Sequence, residues 1–164
     1  FRTAETTANG RLLVNGQPVA LRVREVRPDI GTDEIEALRD QGYNTLRLLP
    51  GAANESLYDT CDSLGVYLIV TAPVDTRRSG LSRRKGGNPS NDPAWQGAYI
   101  ERAEAAYHTA KRHPSVIGSA LARQSANGIN LYETYLHMKR FDETRPFVYP
   151  DSEGEWNSDR LLTE

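Results

Sequence analysis

One stretch limits the architecture of this chain more than any other: Val116 to Gly128, VIGSALARQSANG. A long helical segment ending in KRHPS precedes it, and a second one, NLYETYLHMKRFDETRP, follows. Val116 to Ala122 has the small and apolar residues of a buried strand, and Arg123 to Gly128 reads as the polar loop at its end. A strand set between two helices is the repeating unit of a β/α barrel, where chemistry sits on the loops after the strands. The same unit recurs upstream. Ala20–Val26 and Asn44–Leu49 read as strands, Val66–Val70 is the continuous apolar run of a doubly covered parallel strand, and Pro146–Tyr149 supplies a fifth.

The expected fold is α/β: a partial (β/α) barrel of the TIM type, with about five parallel strands and four helices. A complete barrel takes roughly 250 residues and rarely fewer than ~200, so the 164 residues here are not expected to close one. An Asn15-Gly16 pair inside RLLVNGQPV marks a β-hairpin, because both residues tolerate positive φ. Residues 1–19 are therefore assigned to an N-terminal hairpin and residues 20–164 to a single partial-barrel domain.

Composition removes several classes of function. A hydrophobic fraction of 38%, a charged fraction of 26% and a net charge of −2 suit a soluble globular domain and give no reason to expect nucleic acid or a membrane surface as partner. No apolar run approaches the ~20 residues of a membrane span, and FRTAETTANG lacks the charged-then-apolar pattern of a signal peptide. Localisation is otherwise unspecified. Cys61 is the single cysteine, so it can form neither an internal disulfide nor a cysteine-based metal centre; it reads as a small buried hydrophobe.

The helices carry recognisable signals. Thr32–Gln41 has Thr32 as the expected N-cap, Asp33 and Glu34 in the first turn, and Gly42 as a stop. Asp92-Pro93 is a natural cap with proline at the first helical position, and Trp95, Tyr99, Ala103, Ala106 and Ala110 form a stripe expected to be buried. His108 and His113 lie five apart, off the spacing that puts two ligands on one helix face, and both read as structural. The basic run Arg77, Arg78, Arg83, Arg84 and Lys85 lacks a phosphate motif and is expected to be a flexible solvated loop.

RHPSV, then a strand, then a polar loop ending in Ser-x-Asn-Gly resembles the catalytic barrel of glycoside hydrolase family 2, of the β-galactosidase type. Support comes from Tyr58, Asp59, Cys61, Asp62 and Gly65 in the pattern Tyr-Asp-x-Cys-Asp-x-x-Gly, from the DPAW start of the long helix, and from EWNSD near the end. The resemblance implies a hairpin that plugs the barrel's bottom and an active site whose acid/base glutamate occupies an Asn-Glu-Ser loop. Here that loop is Arg123, Gln124, Ser125, so Gln124 stands at the acid/base position. It further implies a magnesium ligand pair at Asp75 and Arg77, a Ser-His-Tyr-Pro run at Leu49, Pro50, Gly51 and Ala52, and a Trp at Ser119. An arginine cannot ligate a cation, so the magnesium site is expected to be lost and no cofactor is expected. Arg47 matches an arginine beside the family's catalytic carboxylates, or else forms a salt bridge inside the barrel. Glu25 and Asp29 either point into the site or belong to a solvated turn.

A retaining glycosidase needs two carboxyl groups roughly 5–5.5 Å apart, and glutamine has no acidic proton to give. The family's nucleophile lies on a later strand than any in this chain. The leading expectation is accordingly a catalytically incompetent, truncated barrel, a pseudoenzyme decommissioned by evolution or design, and associating as a homodimer through two open sheet edges. A second reading keeps β-glycoside hydrolysis, completed by a partner or carried by Asp75, Glu25 or Asp151 with Arg47 orienting the sugar. A third keeps only binding of a galactoside-type carbohydrate, by Glu25, Asn127, Asp151 and stacking on Trp156 or Tyr149.

Overall fold

Alternating apolar runs and amphipathic segments fold as their periods dictate. The computed structural model describes residues 2–164. An antiparallel sheet of β1 (Ala4–Thr6), β2 (Leu12–Val14) and β3 (Gln17–Val19) precedes five parallel strands, β4 (Val23–Val26), β5 (Thr45–Leu48), β6 (Tyr67–Thr71), β7 (Val116–Ala120) and β8 (Phe147–Val148). These five lie side by side in chain order, and the barrel is not closed. Helices α1 (Thr32–Asp40), α2 (Glu55–Leu64), α3 (Gln96–Ala110) and α4 (Ile129–Lys139) connect them. Among the described residues no helix is long and apolar enough to cross a membrane.

The parallel sheet has two faces of different chemistry. Leu46, Leu48, Leu68 and Val70 point outward and pack with Ile35 of α1 and Leu57, Tyr58 and Cys61 of α2. Burial pushes the Cys61 thiol up to about 12, so it sits in this layer as an inert hydrophobe. Ile69, Ile117, Ala120 and Val148 point inward onto Ala4, Leu12 and Val14 of the small sheet, with Leu161 packed against the same cluster. The opening is therefore a three-stranded meander, one strand more than the expected hairpin. The expected turn is present: Asn15 and Gly16 have φ of 50° and 77°.

Several boundaries differ from the sequence reading for identifiable reasons. Gly31, not Thr32, is the N-cap of α1, and it offers no side-chain cap. Asp92 caps a 3₁₀ turn at Pro93–Trp95 through its bond from the Ala94 N–H (3.0 Å), and α3 starts only at Gln96. A 3₁₀ turn advances three residues per turn instead of 3.6; Trp95 therefore leaves the stripe and is 49% exposed, while Tyr99, Ala103, Tyr107 and Ala110 are buried. Helix α4 ends at Lys139, short of Arg145, and Asp142 there accepts from the Thr144 and Arg145 N–H groups in a turn of its own.

The loop after β6 keeps Arg77, Arg78, Arg83, Arg84 and Lys85 exposed, as expected, and is also tied down by hydrogen bonds. Asn88 is wholly buried and donates to the carbonyls of Thr76 and Gly80, while its Oδ1 accepts from the Thr76 hydroxyl and the Ser90 N–H. Arg83 is bidentate to Glu155 at 2.9 and 3.3 Å. The expected pair of open edges is also corrected. Among the described residues β4 is the edge without a covering partner: on the outer side of β8 the Phe147 C=O accepts from the Asp159 N–H (2.8 Å), and the Phe147 N–H donates to Asp159 Oδ2 (2.9 Å).

Candidate functional site

The inward-facing row of the sheet changes character towards the C-terminal strand ends. Glu25 on β4 lies directly opposite Arg47 on β5, and their side chains pair at 3.2 Å. Thr71 and Ala120 continue the row. Arg47 thus forms the salt bridge of one reading and also lines the pocket. Its neighbour Asp29 does not enter; it pairs with Arg27 in the solvated turn (2.8 Å).

The loop after β7 is held by three elements. Ser125 Oγ donates to the Arg123 carbonyl and accepts from the Thr76 N–H. The Ser125 N–H donates to the Tyr149 hydroxyl (3.0 Å), which itself donates to the Ala126 carbonyl. Burial, with the Asp151 and Asp75 carboxylates adding, pushes the Tyr149 phenol up to about 12, so it keeps the proton this clamp needs. Gln124 sits at φ 45° and Ala126 at φ 55°, both in the left-handed region that side chains rarely adopt. The Gln124 strain is anchored by its N–H donating to Asp151 Oδ2 at 2.8 Å. Gly128 closes the loop because a Cβ there would lie 2.4 Å from the Ser90 carbonyl oxygen.

Position 124 is thus presented to the pocket, but as an amide in a web of ions. Gln124 Oε1 accepts from Arg77 Nη1 (3.0 Å) and Arg123 Nη1 (3.5 Å). Arg123 reaches Glu25 (3.3 Å) and Asp75 (3.6 Å), and Arg77 reaches the other oxygen of Asp75 (3.6 Å). The Arg77 and Arg123 guanidinium groups therefore hold the one amide, and both also pair with Asp75. The cavity they leave, lined by Glu25, Arg47, Thr71, Gln124 and Asp151 among others, measures about 70 Å³. Pockets that hold small-molecule ligands usually measure roughly 300–1,000 Å³.

Magnesium prefers oxygen ligands in a near-octahedral shell. Each carboxylate oxygen of Asp75 already faces a guanidinium, so the residues present do not fit the ion.

Other candidates fall outside the pocket. Asn127 is buried in the loop's support, donating to the Ser152 carbonyl and accepting from Asn157. Tyr149 is 1% exposed and offers no ring face to a sugar. Trp156 lies against Tyr132, ring centroids 4.4 Å apart, and is 63% exposed away from the cavity. The sequence reading missed Arg123 as the group that fills the site, Tyr149 as the loop's clamp, and Asn88 as the anchor of the neighbouring loop. Only Asn88 had a local signal, in the turn-forming run GNPSND.

Against known families, residues 9–163 match the model for glycosyl hydrolases family 2, TIM barrel domain. The chain is 32% identical over 160 residues to a β-galactosidase of Vibrio cholerae and 31% identical to one of Pectobacterium atrosepticum, covering 91% of this chain and 15% of each relative. Among solved structures, the β-glucuronidase of Ruminococcus gnavus superposes with a TM-score of 0.75 at 21% identity, over 91% of this chain and 28% of that one. A Parabacteroides merdae β-glucuronidase gives 0.68 at 20%, over 91% and 21%. The chain thus spans about 15% of the length of the curated relatives it matches.

Proposed function

The chain belongs to glycosyl hydrolase family 2, and from that premise we propose that this barrel segment keeps a β-galactosidase scaffold but does not itself cleave glycosides. The observation that carries the reading is Gln124. It occupies the position from which a carboxylic acid would protonate the leaving oxygen, and its amide is tied to Arg77 and Arg123 instead. An amide has no proton to release at any accessible pH, and loss of general acid catalysis alone lowers rate by about 10²–10⁴. The small cavity supports the same reading, because a sugar ring must first displace the ion pairs that fill it.

The carboxylates nearest the pocket are already engaged: Glu25 with Arg47 and Arg123, Asp75 with Arg77 and Arg123, Asp151 with the Gln124 N–H. The proposal includes the absence of a magnesium site at Asp75. It also includes association along the bare edge of β4, where a further strand from the same polypeptide or from a second copy pairs with the sheet.

The test is hydrolysis of chromogenic β-galactoside and β-glucuronide by the purified chain, with and without magnesium. Rates equal to a mock preparation are expected. Turnover above that control, abolished by Asp75→Asn or Glu25→Gln, would overturn the proposal and show that substitute carboxylates act. Galactoside titration followed by tryptophan fluorescence separates simple sugar binding, for which no saturable change is expected.

A further inference from the structure

Away from the pocket, the end of α3 and the start of α2 meet around His113. This residue is 5% exposed, and its ring stacks on Tyr58 with centroids 4.6 Å apart and planes 13° from parallel. Nδ1 lies 2.9 Å from Asp62 Oδ2, while Asp62 Oδ1 accepts from the Ser115 N–H at 2.9 Å. Asp62 therefore fixes the ring from behind and favours the tautomer with the proton on Nδ1. The other nitrogen, Nε2, is buried without a hydrogen-bond partner among the described residues. It points toward Glu55 Oε1, 3.1 Å away but outside hydrogen-bond geometry. Asp59 follows Glu55 by one helical turn, and one ligand atom from each of Glu55, Asp59 and His113 falls within a 4.8 Å span.

We propose that Glu55, Asp59 and His113 form a binding site for a divalent transition metal of the zinc class, with Asp62 as the group that positions the histidine. One imidazole nitrogen and two carboxylates are a ligand set zinc accepts, at roughly 2.0–2.2 Å from the ion. Carboxylate, histidine and metal in line is the arrangement by which a second ring nitrogen orients a metal-bound imidazole. Glu55 and Asp59 are exposed and can close on an ion, while His113 is buried and held by Asp62 and the Tyr58 ring. The Arg112 guanidinium, 2.5 Å from Glu55 Oε1, is the one cation on the spot, and it competes with the metal. At Asp75 both oxygens face guanidinium groups, whereas here Arg112 faces one oxygen of Glu55 and the His113 Nε2 is left without a hydrogen-bond partner.

Titration calorimetry of the folded chain with Zn²⁺, repeated with Co²⁺ to read coordination from its visible absorption, tests the site. One equivalent is expected to bind. Glu55→Gln and Asp59→Asn, surface changes that leave the fold intact, are each expected to weaken binding about tenfold or more, and Asp62→Asn by roughly 10–100-fold. Arg112→Ala is expected to tighten it. His137→Ala, which removes the other histidine paired with a carboxylate, is the control and should change nothing. No uptake, or uptake unaltered in Glu55→Gln and Asp59→Asn, would overturn the proposal and leave His113 as a packing residue held by Asp62 and the Tyr58 ring.

Discussion

The two faces of the parallel sheet are built from the same strands, residue by residue in alternation, yet they obey different rules. Outward, Leu46, Leu48, Leu68 and Val70 meet Tyr58 and Cys61 in a layer with almost no accessible surface. Inward, at the C-terminal ends, Glu25, Arg47, Arg123, Asp75 and Arg77 meet in pairs whose side chains remain 22–56% exposed. Burial of apolar area contributes to folding in proportion to the area hidden from water, roughly 25 cal/mol per Å². Partly hydrated ion pairs return only about 0–1 kcal/mol each, because desolvation and side-chain ordering offset their attraction. The outer face therefore decides whether the chain folds, and the inner face decides what fits inside it.

The largest effect should come from the outer face. Leu68→Ala is expected to lower the unfolding free energy by about 2–5 kcal/mol, read as the shift in a urea denaturation midpoint. Next comes the loop anchor. Asn88→Ala strands the buried partners of a four-bond hub and should cost about 2–3 kcal/mol, with protease cleavage appearing between Arg77 and Arg84. A pH scan then separates charge from packing. Burial pushes the Asp142 carboxyl up, but hydrogen bonds from Thr144 and Arg145 and the Arg145 charge outweigh it, so its net shift is below the usual carboxylate range. The unfolded chain takes up that proton first, near pH ~4. The stability Asp142 contributes is present above that pH and drains away as pH falls toward the lower folded value; Asp142→Asn should flatten this acid limb in thermal melts.

The inner face should respond least. Arg47→Met is expected to change stability by no more than about 1 kcal/mol, and a loss several times larger would break the division between the faces. Gln124→Glu should be neutral or slightly stabilising, since the new carboxylate faces Arg77 and Arg123. It should remain without turnover, because two guanidinium groups hold it ionised and unable to donate a proton. Hydrolysis restored by that single change would mean that the pocket opens.

What was legible in the sequence follows the same division. The strands and helices declared themselves through periods of 2 and 3.6, and the Tyr58–Gly65 pattern placed α2 without ambiguity, because an outer-layer residue is chosen by its immediate neighbours in sequence. The site was legible only as a set of positions. That Gln124 stands where the resemblance puts an acid was readable from the motifs. That Arg123 fills the cavity was not, since its partners Glu25 and Asp75 lie 98 and 48 residues upstream. Trp156 was misplaced for a similar reason: an aromatic among acidic residues looks like a sugar platform, but Tyr132, on a helix 24 residues earlier, draws it outward. The His113 cluster was missed because spacing along one helix was the criterion, and its ligand atoms come from two.

The Asp159 brace on β8 has a consequence for synthesis. Phe147 leaves the ribosome well before Asp159, which arrives 12 residues later with the two hydrogen bonds that satisfy its outer backbone groups. During that interval the nascent sheet displays β8 as an adhesive rim, open to any extended segment of a neighbouring nascent chain. Tyr135 and Lys139, already emerged on α4, bond the Asp159 carboxylate when it appears and so recruit it to the strand. The brace is in this sense a timed latch, closing only once Asp159 has followed β8 out of the ribosome.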